Sequence, residues 1–192
     1  LARIFKGAVL VLKSILIFPE FDNIKKIESI REKYDSLYTN IRPHITLVFP
    51  FESALNEKDI LESIKKTLVN TKVFSASFQL VSGDFKNGYV WLEADEGRAD
   101  FIQMHDLLYQ NELFKPYQRK DIPYIPHITI GQSLSQSEAA WLAKDIGKNI
   151  SEFKTIIKKV SVERILDNNN SEEIAQIDLK TVSLSNSMDG LN

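Results

Sequence analysis

The sequence predicts an α+β fold of two duplicated β-α-β-α-β lobes, with two mainly antiparallel sheets flanking a central cleft and the helices on the outside. Three observations predict it. Segments with strand alternation and segments with helical periodicity follow one another in the same order twice, with one strand to spare. One four-residue word, Pro-His-Ile-Thr, stands at residues 43–46 and again at 126–129, in corresponding places of the two halves. No stretch is long, Pro/Gly-rich or low in complexity. The chain 1–192 therefore reads as one bilobal domain, with lobes at about 1–84 and 85–184 and a polar tail at 185–192.

The elements follow in order. Residues 14–18 are a run of mostly branched apolar side chains stopped by Pro19, the pattern of a buried strand. Asp22 is placed to cap a helix, in which Ile24, Ile27, Ile30, Tyr34 and Leu37 recur at helical spacing among Lys and Glu. Pro43 to Phe51 reads as a second strand. Asn56 opens a second helix with an apolar stripe of Ile60, Leu61, Ile64 and Leu68. Residues 73–81 alternate as a strand, and 82–88 are a turn region at the junction of the lobes. The second half repeats the order with strand 89–94, helix 97–111 (Phe101, Met104 and Leu108 inward) and strand 126–131. Helix 135–150 follows, opened by Ser135 and Glu138 as a capping box. Two closing strands, 155–166 and 174–184, are joined by the polar turn 167–171.

Composition narrows the function. Lys+Arg number 24 against 26 Asp+Glu, a net charge of −2. That is not the basic surface needed to grip a long duplex through many phosphates, although one or two phosphates need only a local positive site. The absence of cysteine excludes a disulfide framework, a cysteine nucleophile and a thiolate metal site, and it fits a reducing compartment. The apolar stretch 7–18 is too short to span a bilayer and is split by Lys13, so a cytoplasmic protein is expected, with no membrane partner.

The chemistry is carried by the repeated word. The chain has three histidines, and two of them, His44 and His127, occupy it. Strand side chains alternate faces, so His44 and Thr46 share one face and Ile45 and Leu47 the other. The same holds for His127 and Thr129 against Ile128 and Ile130. If a pseudo-twofold relates the lobes, two imidazoles and two hydroxyls surround one small volume. One neutral imidazole can take a proton from water while a protonated one gives a proton to a departing oxygen. Threonine hydroxyls can hold the non-bridging oxygens of a phosphate. This scheme calls for no metal or other cofactor. Arg42 is a candidate phosphate contact, or the partner of a nearby acid. Tyr124 and Phe49 are the first candidates to stack on a base, followed by Phe51, Tyr89 and Trp91. The mixed segment 115–120 could guide an RNA end or be a solvated loop, and His105 belongs with its apolar helical neighbours.

The paired His-x-Thr strands, each preceded by Pro, resemble those of the 2H phosphoesterases, which include the bacterial 2′-5′ RNA ligase-like proteins and RNA 2′,3′-cyclic phosphodiesterases. The wording Arg42-Pro43-His44-Ile45-Thr46-Leu47-Val48-Phe49-Pro50 and Tyr124-Ile125-Pro126-His127-Ile128-Thr129-Ile130-Gly131 is close to bacterial members, and the element order extends the resemblance over nearly the whole chain. It implies metal-independent cleavage of a small phosphodiester, a 2′,3′-cyclic phosphate at an RNA or nucleotide end; a monomer is expected. It implies that His44, Thr46, His127 and Thr129 line the site, with His127 as base and His44 as acid. One departure is visible. Several ligase-like members carry an Arg shortly after the second motif, where this chain has Gln132, a hydrogen-bond donor without charge. The same residues would serve 2′-5′ ligation, and a nucleotide-binding module without turnover is the alternative from another class. A metallohydrolase would need ligand spacing that the chain does not show.

Overall fold

The computed structural model describes residues 4–5 and 8–181. A two-stranded hairpin, β1 (Ile4–Phe5) and β2 (Ala8–Val9), leads into β3 (Val11–Ile17). Then follow α1 (Ile24–Tyr34), β4 (Ile45–Ser53), α2 (Glu57–Thr67), β5 (Phe74–Ser82) and β6 (Val90–Ala94). The chain continues through α3 (Arg98–Gln110), β7 (His127–Gly131), α4 (Gln136–Gly147), β8 (Phe153–Ile157), β9 (Lys159–Ile165) and β10 (Ser171–Asp178). Two four-stranded sheets result, ordered β10-β9-β3-β4 and β7-β6-β5-β8, and every neighbouring pair in them is antiparallel. The α+β architecture with two antiparallel sheets is the one expected from the sequence.

Local chemistry explains the helix boundaries. Asn56 caps α2 by accepting from the Asp59 N–H, and Ser135 and Glu138 form the expected capping box on α4. The cap of α1 is Asn23 rather than Asp22, and α1 stops at Tyr34, short of Leu37, because the chain turns at Asp35. Gly88, at φ +77°, closes the turn before β6, and a Cβ there would stand 2.2 Å from the Leu134 carbonyl oxygen.

The strands are shared differently from the expectation. The sheets do not divide at residue 84: β5 pairs with β6 and β8, while β9 and β10 join β3 and β4 in the first sheet. The single strand expected at 155–166 is two strands, one in each sheet. The break falls at Lys158, whose carbonyl accepts from the Leu179 N–H at 2.7 Å. Alternation reports which face a residue takes, not which strand it pairs with, so a strand passing from one sheet to the next reads as continuous. The last strand runs 171–178 rather than 174–184, and residues 182–192 lie outside the described ones.

The helices knit the halves together. α1, from the first half, packs on β7, and α3, from the second, packs on β4. One continuous core follows, including Ile45, Leu47, Phe78, Leu92, Phe101, Leu108, Ile128 and Ile130. Among the described residues no helix is long and apolar enough to cross a membrane.

Candidate active site

The two motif strands occupy matching positions. β4 is the edge of the first sheet and β7 the edge of the second, and the two strands touch. An edge suits the prolines, since Pro43 and Pro126 have no N–H to contribute to an inner ladder. Burial alternates as the motif requires. Ile45, Leu47, Ile128 and Ile130 are buried, while His44, Thr46, His127 and Thr129 are half-buried.

Each imidazole is held in the same way. His44 Nδ1 lies 2.9 Å from the Arg42 carbonyl oxygen, and His127 Nδ1 lies 2.6 Å from that of Ile125. A carbonyl can only accept, so Nδ1 carries the proton in both rings and Nε2 is left with the lone pair. The rings also have different neighbours. Trp91 stacks on His127 at 4.5 Å between centroids, and Phe18 meets His44 edge-on at 6.2 Å. Strand register places Trp91 across from Thr129 and Glu93 across from His127.

The electrostatics keep both rings neutral in the free protein. Burial pushes His44 down to about 4; the charges of Arg31 and His127 act in the same direction, and the Arg42 carbonyl and Asp35 oppose. Burial also lowers His127, against the Ile125 carbonyl and the charge of Glu93. Glu93 holds that charge because hydrogen bonds from Ser82 and Arg98 outweigh the cost of its burial.

The other candidates fall in three groups. Tyr124 joins the motifs: its Oη–H donates to the main-chain oxygen of Thr46 at 2.9 Å, and its ring stacks on His105 at 3.8 Å. Its face is therefore occupied by protein, and His105 is a buried packing partner. Arg42 is exposed, pairs with Glu173 at 2.8 Å and lies over the Phe18 ring at 4.1 Å, beside His44. Gln132 is turned to a structural partner, with its side-chain amide donating to Asp35 at 2.7 Å and its N–H to the Tyr34 carbonyl at 2.9 Å. Phe49 is half-buried farther along β4, where its N–H donates to Tyr109 Oη. In the 115–120 segment, Arg119 is bound by Asp121 and Lys115 by Glu112, so those charges are met within their own loop.

Reading the sequence did not single out Arg31 and Asp35. Arg31 is 1 % exposed and donates to Asp35 at 2.7 Å and to the Ile41 carbonyl at 2.7 Å, while Asp35 also accepts from Leu37 N–H and Gln132. This cluster shapes the 35–41 turn that delivers His44 and hooks it to the end of β7. A signal was available: residues 27, 31 and 35 lie on one helical face, and Ile27 is buried. Among the described residues, no group of three His, Asp or Glu is placed to hold a metal ion.

Matched edge strands, each presenting a His-x-Thr with its imidazole tied to a carbonyl two residues back, define the 2H arrangement. Residues 19–169 match the 2′-5′ RNA ligase superfamily, and the chain belongs to that family, the 2H phosphoesterases. Among its relatives, a Bacillus cereus (strain B4264) protein carrying the name of a phosphoesterase is 31% identical over 134 residues, 66% of this chain and 72% of that protein. A Bacillus licheniformis protein named in the same way is 26% identical over 166 residues, 80% of this chain and 90% of its own. Among solved structures, Escherichia coli LigT in apo form superposes with a TM-score of 0.62 at 14% identity, covering 88% of this chain and 98% of that one. LigT complexed with 3′-AMP gives 0.61 at 13% identity over the same shares.

Proposed function

We propose that this protein is a phosphodiesterase that opens small cyclic phosphodiesters, 2′,3′-cyclic phosphates at an RNA or nucleotide end, using His44 and His127 as an acid–base pair. The observation that carries the reading is the shared tether: both imidazoles have Nδ1 committed to backbone and Nε2 available for proton transfer, on strands that abut. The names of the relatives support a phosphoesterase. LigT structures holding 3′-AMP, ATP and NADP+ support a small nucleotide as ligand.

In the proposed step the oxygen of water attacks phosphorus while His127 Nε2 takes its proton. The bond from phosphorus to the 2′ or 3′ oxygen breaks, and His44 Nε2–H gives its proton to that oxygen. A monoester results, and the proton gained by His127 returns to His44 through solvent. Both rings are neutral near pH 7 in the free protein, so the acid must be charged when substrate binds. The phosphodiester anion supplies the cause, because a negative charge beside an imidazole favours its protonated form. Thr46 and Thr129 donate to the non-bridging oxygens. Arg42, exposed and lying over the Phe18 ring that meets His44, is the cation proposed to contact the entering phosphate. Tyr124 acts through Thr46 as a positioning residue, and Gln132 through Asp35. Ligation to a 2′-5′ bond would be the same transfer with a 5′-hydroxyl attacking phosphorus in place of water and the 3′ oxygen leaving.

The test is incubation with 2′,3′-cyclic nucleotides and with a short RNA ending in a cyclic phosphate, in excess EDTA, with the 2′- and 3′-monoesters resolved. Turnover to one monoester is expected. Binding without turnover of any of these would replace the reading with a nucleotide-binding module.

A further inference from the structure

The face of the first sheet that carries His44 and Thr46 sinks into a cavity of about 260 Å³. Its walls are apolar, built by Leu12, Leu16, Leu37, Ile41, Pro50 and Ile165. Its polar groups are few: His44 and Thr46, then Ser14 and Glu163, and Asn169 from the turn before β10. Strand register explains the line. Thr46 lies across from Leu16, and Ser14, two residues back on the same strand and face, lies across from Glu163. The cavity therefore runs along the sheet from the first motif to Glu163. An apolar slot with a few convergent polar groups is the usual form of a small-molecule site.

Glu163 is out of place as a structural residue. It is 2 % exposed, and its Oε2 is buried with no hydrogen-bond partner among the described residues. Burial pushes its carboxyl up to about 7, against the opposing pull of the Ser171 and Ser14 hydroxyls. A buried acceptor left empty destabilises a fold, and no cation is paired with this one in the described residues. Such groups persist where a ligand completes them.

We infer that this cavity receives the base of the nucleotide whose phosphate lies at the two histidines, and that Glu163 selects guanine by accepting from its N1–H and N2–H. The inference rests on the proposed reading of the site. An apolar slot suits an aromatic heterocycle, and the ionised carboxyl, the form that two facing N–H donors favour, is acceptor-only and selects a base edge with two adjacent donors. Guanine presents such an edge. Adenine and cytosine set a donor beside an acceptor, and uracil sets one N–H between two carbonyls. The terminal torsion of a glutamate is soft, so Oε2 can turn toward the slot when a base enters.

The experiment compares kcat/KM for the four 2′,3′-cyclic nucleotides, with wild type and Glu163→Gln, alongside calorimetric binding of 3′-GMP and 3′-AMP to wild type. The cyclic guanosine substrate should exceed the other three by at least about tenfold, the discrimination of one good bidentate pair. Glu163→Gln, which offers a donor where the carboxylate accepts, should remove that ranking. Its Tm should not fall below wild type, because a buried carboxyl with an empty acceptor has been replaced. No base ranking in wild type, a ranking unchanged in Glu163→Gln, or a preference for adenine or cytosine would overturn the assignment. Turnover without base preference would leave the phosphodiesterase reading standing. Tighter binding of 3′-GMP with no turnover of any cyclic nucleotide would support the slot and sink that reading.

Discussion

Tyr124, two residues before the second Pro-His-Ile-Thr word, donates its hydroxyl to the main-chain oxygen of Thr46 inside the first, at 2.9 Å. An edge strand leaves outward carbonyls without strand partners, and Tyr124 supplies a donor to one of them. Burial raises its phenol well above the ordinary range, so the hydroxyl keeps its proton across any working pH. The contact holds the two motifs in one geometry. Tyr124→Phe should cost about 1 kcal/mol of stability. It should also lower kcat by roughly tenfold or more through misplacement of Thr46, because small displacements at a reacting centre are costly. Urea denaturation and steady-state kinetics check the pair; unchanged kcat with lowered stability would make the bond purely structural.

The threonines should behave alike because their strands do. Thr46→Val and Thr129→Val keep volume and strand preference but remove the hydroxyl donor. Each should lower kcat by about 10- to 100-fold while KM changes less, the pattern of a contact that strengthens as charge develops on the phosphate. A rise in KM alone would assign them to ground-state binding.

The pH dependence follows from the two depressed imidazoles. Under the proposed acid–base pairing, turnover needs one ring protonated and one neutral. With His44 at about 4 and His127 also below its ordinary value, the singly protonated free protein is most abundant below pH 6.5. The kcat/KM profile, which reports the free protein, should peak on the acidic side of pH 6.5 and decline above it. The kcat profile should lie at higher pH, because the bound phosphodiester raises the acid's pKa. Coincident profiles would remove the role given to the substrate's charge.

Asp35 is the counter-ion of a guanidinium that is 1 % exposed. Asp35→Ala leaves the buried Arg31 with only the partly exposed Glu28, at 3.2 Å, as counter-charge and releases the side-chain amide of Gln132. The expected loss is about 3–5 kcal/mol. Gln132→Ala should cost much less, since it removes a donor and leaves the ion pair intact. Chemical denaturation of both variants separates these cases.

The placing of the motif residues on matched strands was more legible in the sequence than the pairing of those strands. His44, Thr46, His127 and Thr129 were legible because a strand has period two and the same word occurs twice, and their half-buried faces alternate with the buried Ile45, Leu47, Ile128 and Ile130. The helix starts at Asn56 and Ser135 were legible through capping chemistry. The crossing at Lys158 was not, because β8 and β9 take their partners from far apart in the chain. Gln132 and Tyr124 stand beside the motif as expected, but their partners, Asp35 and the Thr46 carbonyl, come from the other half. Glu163 alternates with Val162 like a solvent-facing strand residue, and only the structure shows that both faces of β9 are covered there.

The central claim is that His44 and His127 exchange protons with the reacting phosphodiester as a pair. The most direct measurement is kcat for a 2′,3′-cyclic nucleotide with wild type, His44→Ala, His127→Ala and the double variant, all in excess EDTA. Each single substitution should lower kcat by about 10²- to 10⁴-fold. The double variant should fall little further, because residues acting as a unit are not additive. Turnover that survives both substitutions at the wild-type rate would contradict the claim and place the chemistry elsewhere.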